Sequence, residues 1–369
     1  MKICHITSVH KRYDDRIFQK ECWSLSQAGY DVTLIVSDGK PNEINEHVRI
    51  VDIGPQFSRR LIRFMTSSFR FAREIRKLEP FEIIHAHDPE LLFLLAFLVD
   101  RKKSITIYDS HENLPKQIMG KKYIPKTIRK PISKFVDIIE GKLMARCDGL
   151  IGVTPGIVES LEKHCKNTLL LRNFPRLDIF TPSMIAREER SEVCFVGGVS
   201  IIRGALQMAE AAKKAQQTIH IIGEYEDKET EDLVDQKSQG WIDNLGYHST
   251  EEVVQYLQSY SIGLVVYQPL PNNLDSYPIK LFEYMASGLA VIASNFPMWS
   301  DIVNNSKCGI CVDPTNVDDI ANAINYLIEN PALCAQMGKN GQRAVKEKYS
   351  WEAEQPKLYR FYELLYKMK

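Results

Sequence analysis

Asp275, Lys280 and Glu283 stand on either side of one proline, Pro278, in the stretch PNNLDSYPIKLFEYMASGLAVIASN from Pro271 to Asn295. Two carboxylates flanking a cation at a helix start suit a ligand that is part phosphate and part polyol. Proline costs nothing in a first helical turn, so a helix is expected from Ile279 to Ser287, after a polar loop. Its first N–H groups have no intrahelical partners and its macrodipole is positive there, which draws an anion. A carboxylate further along can accept hydrogen bonds from sugar hydroxyls. Gly288 is the expected stop, and Ala290 to Ala293 has the character of a short buried strand. The same spacing also fits a surface loop leading into an ordinary amphipathic helix with Glu283 on its wet face, and spacing alone leaves both open.

A second candidate lies upstream, in Gly197-Gly198-Val199-Ser200-Ile201-Ile202-Arg203-Gly204. It follows an expected strand, Glu192 to Val196, and opens an expected helix, Gly204 to Gln216. Glycines let the backbone approach a phosphate, and Arg203 is a permanent cation able to hold two oxygens at once. Gly223 closes a further expected strand, Ile219 to Ile222. In the first half, His87 follows the strand ending at Ile83-Ile84-His85, and His111 follows Ser104 to Tyr108. The carboxyl ends of strands are where open parallel sheets deliver ligand groups. A strand-end or loop histidine is also commonly just packed or exposed. Two acids alone would equally suit the acid and nucleophile of a glycosidase.

The Pro271–Asn295 stretch resembles the donor-site signature of glycosyltransferase family 4, where two acidic residues separated by seven others precede an A-M-A-x-G-x-P-V type segment. Asp275 and Glu283 take the acidic positions and Tyr284-Met-Ala-Ser-Gly-Leu-Ala-Val291 takes the rest. The first acid here is Asp where Glu is usual, and Ser-Tyr-Pro replaces a Gly-rich triplet. The upstream loop is similar to the family's G-R-x-x-x-x-K-G loop, with Gly198 at the arginine position and Arg203 at the lysine position, so Lys280 becomes the candidate second cation. The resemblance implies that Glu283 accepts from ribose hydroxyls, that Asp275 and His111 meet the donor sugar, and that Gly197, Gly198, Arg203, Gly223 and Lys280 hold the diphosphate. Glu112 and His87 are the acceptor-side candidates, with His85 weaker. The resemblance also implies a metal-independent reaction, and no Asp-x-Asp stands between apolar strands.

These residues need a scaffold, and the chain is long enough to supply one. Its 369 residues suggest two domains, and 47 basic against 47 acidic residues give no net charge, which argues against a general affinity for nucleic acid. Cys308 and Cys311 form a lone CxxC without a second pair, which suits reduced core cysteines better than zinc. The N-terminus MKICHITSVH lacks a signal-peptide core, and Leu91 to Val99 is too short to span a bilayer and reads as a buried helix.

Strand Lys2–Thr7, helix Arg16–Ala28 stopped by Gly29, and strand Asp31–Val36 make a βαβ unit. The loop between them, SVHKRYDDR, has no G-x-G-x-x-G, which argues against a nicotinamide dehydrogenase. A basic amphipathic helix is expected from Arg59 to Leu78, with Leu61, Phe64, Met65, Phe71, Ile75 and Leu78 available for burial. Residues 172–191 carry Pro175 and Pro182 with little periodicity, as a hinge would. The βα pattern then restarts, and the chain ends in an aromatic-rich helix, Trp351 to Lys369, kinked or restarted at Pro356.

Two βα arrays resemble the family's architecture: two Rossmann-like domains facing a central cleft, the last helix crossing back to the first. The expected boundaries are 1–172 for the acceptor domain, 173–350 for the donor domain and 351–369 for the returning helix. The expected activity is retaining transfer of a sugar from a nucleotide donor to a glycan or glycolipid, with the hinge closing to exclude water. The expected location is cytoplasmic, with basic segments Arg59–Lys77 and Lys116–Arg146 as candidates for an anionic membrane surface. A sugar-nucleotide epimerase and a non-catalytic subunit with a decayed site are the competing readings.

Overall fold

The computed structural model describes residues 1–56, 60–78, 80–120, 124–180 and 192–369. Arg59, the Lys121-Lys122-Tyr123 part of the second basic segment, and residues 181–191 of the expected hinge lie outside the described residues. So do the side chains of Leu61 and Phe64. The chain divides into two compact units, residues 1–173 with 354–369, and residues 174–353.

The first unit carries eight strands: β1 (Lys2–Ile6), β2 (Asp31–Val36), β3 (Glu43–Asn45), β4 (Val48–Asp52), β5 (Ile83–Ala86), β6 (Ile105–Ser110), β7 (Gly149–Gly152) and β8 (Thr168–Leu170). They lie in the order β3-β4-β2-β1-β5-β6-β7-β8. All neighbours are parallel except β3 and β4. The central strands are buried on both faces, which is why they read as apolar runs without alternation. The second unit carries β9 (Glu192–Val196), β10 (Ile219–Ile222), β11 (Ile242–Asn244), β12 (Tyr260–Val265), β13 (Ala290–Ser294) and β14 (Gly309–Val312). Its order is β11-β10-β9-β12-β13-β14, all parallel. Both sheets reverse direction beside their first strand, between β1 and β5 and between β9 and β12. A crevice opens at such a reversal because the flanking connections leave toward opposite faces.

Several local expectations are corrected. The helix after the first loop is a wide-turn segment, Ile17–Cys22, followed by the short α-helix Trp23–Gln27. The run from Leu91 is helical and largely buried as expected, but begins as a 3-10 turn, Pro89–Leu91, and widens at Leu94–Leu98. The first basic helix is Arg60–Ile75, with Phe71 buried but Met65 65% exposed. The polar loop before Pro278 contains a one-turn helix, Pro271–Leu274. The final helix, Trp351–Met368, runs through Pro356 as one element. It lies on the first unit because Gly149 leaves room: a Cβ there would stand 2.7 Å from Leu365 and 2.8 Å from Phe361. All eight cysteines are unbridged, and Cys308 is buried with its thiol pushed up to about 12 by burial. Among the described residues no helix is long and apolar enough to cross a membrane.

Candidate functional site

In the second unit the chain leaves β9 through Gly197, whose φ of +116° suits only glycine, and meets β10's exit at Gly223. The two backbones are so close that a Cβ on Gly223 would stand 2.1 Å from the Gly197 carbonyl oxygen. Ile201–Arg203 then makes a 3-10 turn, and Gly204 (φ +83°) starts the helix Ala205–Ala215 with its own backbone against the Val266 carbonyl. Arg203 folds back so that Nη1 donates to the Gly198 carbonyl at 2.9 Å.

The helix Ile279–Ser287 starts at Pro278 and stops at Gly288 (φ +77°), as its sequence requires. Two anchors hold it. The Tyr284 hydroxyl, fully buried, accepts the Val196 N–H at 2.7 Å, tying the helix to the end of β9. Its ring fits only because β12 offers Gly263, where a Cβ would stand 2.4 Å from it. The turn before the helix is pinned by Trp299, whose Nε1 donates to the Ser276 carbonyl at 2.7 Å. Asn273 Nδ2 donates to the Ile202 carbonyl at 3.2 Å, which links the turn to the glycine loop.

So positioned, Lys280 Nζ lies 3.0 Å from Glu283 Oε2, and Lys280 Cε would lie 3.1 Å from a Cβ on Gly197. Gly197, Gly198, Gly223, Lys280 and Glu283 line one cavity of about 330 Å³. Arg203 reaches the site through Gly198. Asp275, half-buried in the preceding turn, is not among the lining residues. Tyr247, His248 and Thr250 face the same cavity and were not singled out in the sequence. Their signal is the capping box in which Ser249 accepts from the Glu252 N–H and Glu252 from the Ser249 N–H, which aims the helix Thr250–Leu257 at the cavity.

In the first unit, the end of β5 carries His87 and Asp88 and the end of β6 leads to His111. Asp88 Oδ2 accepts from Thr7 Oγ1 at 2.8 Å and from the Ser8 N–H at 2.6 Å, which closes the β1 end. His111 is half-buried, with Nε2 3.3 Å from His87 Nδ1 and 3.5 Å from Asp109 Oδ2. Arg16 donates Nε and Nη2 to Asp109 Oδ2 at 3.0 and 2.8 Å. Burial acts to raise the Asp109 carboxyl, but the Arg16 guanidinium and His111 outweigh it and hold it well below the usual range. His87 is buried and pushed down to about 4 by burial, so it is a neutral neighbour of His111 and not a solvent-facing group. Glu112 is exposed. His10 bridges the loop to Asp14 at 3.1 Å and Asp88 at 3.5 Å; burial opposes its charge, and the Asp14 hydrogen bond and the Asp88 charge raise it above its ordinary value. Arg16, Asp88 and Asp109 were not anticipated, because acids and cations scattered through loops show no periodicity.

Two family models match the chain: "Glycosyltransferase Family 4" over residues 19–168 and "Glycosyl transferases group 1" over residues 182–344. The chain belongs to the family 4 type glycosyltransferases. An uncharacterised glycosyltransferase of Methanocaldococcus jannaschii is 24% identical over 297 residues, 79% of this chain and 78% of that protein. A MMP alpha-(1->4)-mannosyltransferase of Mycolicibacterium hassiacum is 26% identical over 106 residues, 28% of this chain and only 25% of that relative's length. The crystal structure of HepE from Anabaena, solved with UDP, superposes with a TM-score of 0.72 at 13% identity, covering 98% of this chain and 99% of that one. This likeness establishes the GT-B fold. The glycosyltransferase therefore carries its glycine cavity in the unit matched by the group 1 model, and His111 in the unit matched by the family 4 model.

Proposed function

We propose that this glycosyltransferase moves a hexose-type sugar, with retention, from a nucleoside-diphosphate donor to a glycan or lipid-linked acceptor in surface polysaccharide assembly. The observation that carries the donor reading is the cavity in which bare glycine backbone at 197, 198 and 223 adjoins the Lys280–Glu283 pair. Transfer breaks the bond from the anomeric carbon to the diphosphate, so negative charge grows on phosphate oxygens while positive charge grows on the sugar. Lys280, Arg203, the loop N–H groups and the start of the helix Ile279–Ser287 are assigned to that diphosphate. With this positive charge in place, the reaction is proposed to need no metal at the phosphates.

Glu283 is assigned to the ribose hydroxyls, with Lys280 held in register by it. Asp275 is assigned to the hydroxyls of the donor sugar. In the other unit His111 is assigned to the reacting sugar, with Asp109 and neutral His87 orienting its ring, and exposed Glu112 to the acceptor. Retention without a side-chain nucleophile implies front-face attack assisted by the leaving phosphate. HepE was crystallised with UDP and with UDP-glucose, and the Mycolicibacterium relative is a mannosyltransferase, so glucose and mannose nucleotides are the first donors to try.

A cytoplasmic enzyme working at the inner membrane face is the proposed setting. The helix Lys126–Met144 supports it by exposing Ile128, Phe135, Ile138 and Ile139 on a helix that also carries Lys126, Lys130 and Lys134. Sedimentation with anionic vesicles tests that setting, and absence of binding at low salt removes it. The activity is tested by incubating the chain with a panel of nucleotide sugars and acceptors and reading the product's anomeric configuration by NMR. Product with the donor's configuration supports the proposal; an inverted product, or an epimerised donor with no transfer, contradicts it.

A further inference from the structure

Beneath the His111 loop lie four buried groups, His5, Glu21, His85 and His87, of which the transfer chemistry uses only His87, to orient His111. One ligating atom from each falls within 4.8 Å of all the others. The topology brings them together. His5 on β1 and His85 on β5 are register partners, and His87, two residues on, shares the face of His85 because strand side chains alternate. Glu21 comes from the wide-turn segment Ile17–Cys22.

We infer that these four side chains form a closed structural site for a divalent metal ion of the zinc class. Three imidazoles and one carboxylate are a zinc donor set, and complete four-coordination by buried side chains is the form that structural sites take. His5 Nδ1 lies 2.9 Å from His87 Nε2, while Glu21 Oε2 lies 3.9 Å from His5 Nδ1 and 3.7 Å from His85 Nδ1. Those separations bracket the edge of about 3.4 Å that a tetrahedron with zinc bonds of about 2.1 Å requires.

Two further observations point to a cation. Glu21 Oε2 has no hydrogen-bond partner among the described residues, although it is buried. Such orphaned groups in an interior call for an ion or water. Glu21 Oε1 faces Arg16 Nε at 3.0 Å, which leaves Oε2 toward the imidazoles. Two of the three outer ring nitrogens also have the supports that metal-bound histidines use, while His85 Nδ1 shares its place with the Tyr362 hydroxyl at 2.6 Å. His87 Nδ1 lies 3.6 Å from Asp109 Oδ2, and His5 Nε2 lies 3.2 Å from the Tyr362 hydroxyl.

The ion would staple β1, β5 and the first helical segment and would steady His87, the neighbour of His111. It would supply no chemistry to the transferred sugar. The test is the metal content of the tag-free, full-length chain after passage over chelating resin, read by mass spectrometry. The expected result is one zinc-class ion per chain, a thermal midpoint that falls with a strong chelator, and, after refolding with Co2+, the visible bands of a four-coordinate cobalt centre. His85→Ala and Glu21→Gln should lose the ion, and His111→Ala, outside the four, should keep it. If the variants fail to fold, the wild-type chelator and cobalt results decide. A folded wild-type chain with no stoichiometric ion, no cobalt bands and a midpoint indifferent to chelator overturns the inference.

Discussion

Nη1 of Arg203 donates to the carbonyl oxygen of Gly198 at 2.9 Å, and would stand only 2.9 Å from a Cβ atom at the same residue. The absent side chain at 198 is thus what lets Arg203 fold over the glycine loop. The resembling motif has a cation at each of these positions, whereas this chain keeps one and brings Lys280 against Gly197 from the helix Ile279–Ser287.

Gly198→Ala follows directly. Gly198 does not have the left-handed backbone that would strain alanine, and its only close neighbour among the described residues is the tip of a flexible arginine. Folding stability should change by less than about 1 kcal/mol, the usual scale for a change that leaves core contacts intact. Affinity for the donor nucleotide should fall about tenfold as one charge-assisted contact is displaced, about 1.4 kcal/mol. Denaturant unfolding and calorimetry read the two quantities separately, and an unchanged affinity would remove Arg203 from the diphosphate.

Tyr284→Phe removes the acceptor of the buried Val196 N–H while leaving the ring against Gly263. An orphaned buried donor costs about 1–3 kcal/mol, so the thermal midpoint should drop and donor affinity should weaken with it as the helix loses its tie to β9. A variant as stable as the parent would show that water takes over the bond.

Much of this was legible in the sequence. Helix Ile279–Ser287 was bounded by Pro278 and Gly288 because those residues have one conformational use each, and the strand at Ala290 to Ala293 was read from its apolar run. The hairpin β3–β4 was not, since β3 (Glu43–Asn45) is a three-residue polar strand at the sheet edge and carries no apolar signature to pair with β4. At the site, the glycines and Glu283 stood in recognisable spacings. Asp109 and Arg16 did not, because their meeting depends on a separation of 93 positions that only the sheet order closes. The final helix was read only as aromatic-rich, while its Tyr362 hydroxyl lies 2.6 Å from His85 Nδ1.

Glu140, on the helix Lys126–Met144, gives a pH signature. Burial first and the neighbouring Asp137 second push its carboxyl up to about 7. The folded state therefore holds this proton more tightly than the unfolded chain. The stabilisation is full below about pH 4.5 and is lost as pH rises through about 7. The full shift would correspond to about 3 kcal/mol, and partial wetting of this half-buried group reduces the expected loss to about 1–2 kcal/mol. Glu140→Gln should flatten that part of the stability profile, measured by unfolding at closely spaced pH; an unchanged slope would assign it to other groups.

Calorimetric titration of the wild-type chain and of Glu283→Ala with UDP, GDP and ADP tests the donor site most directly. One nucleotide should bind the wild type, and the variant should bind it at least about 30-fold more weakly, about 2 kcal/mol, while remaining folded. Equal affinity in the two proteins, or no binding of any nucleotide to the wild type, would contradict a donor site built on Glu283 and the glycine loop.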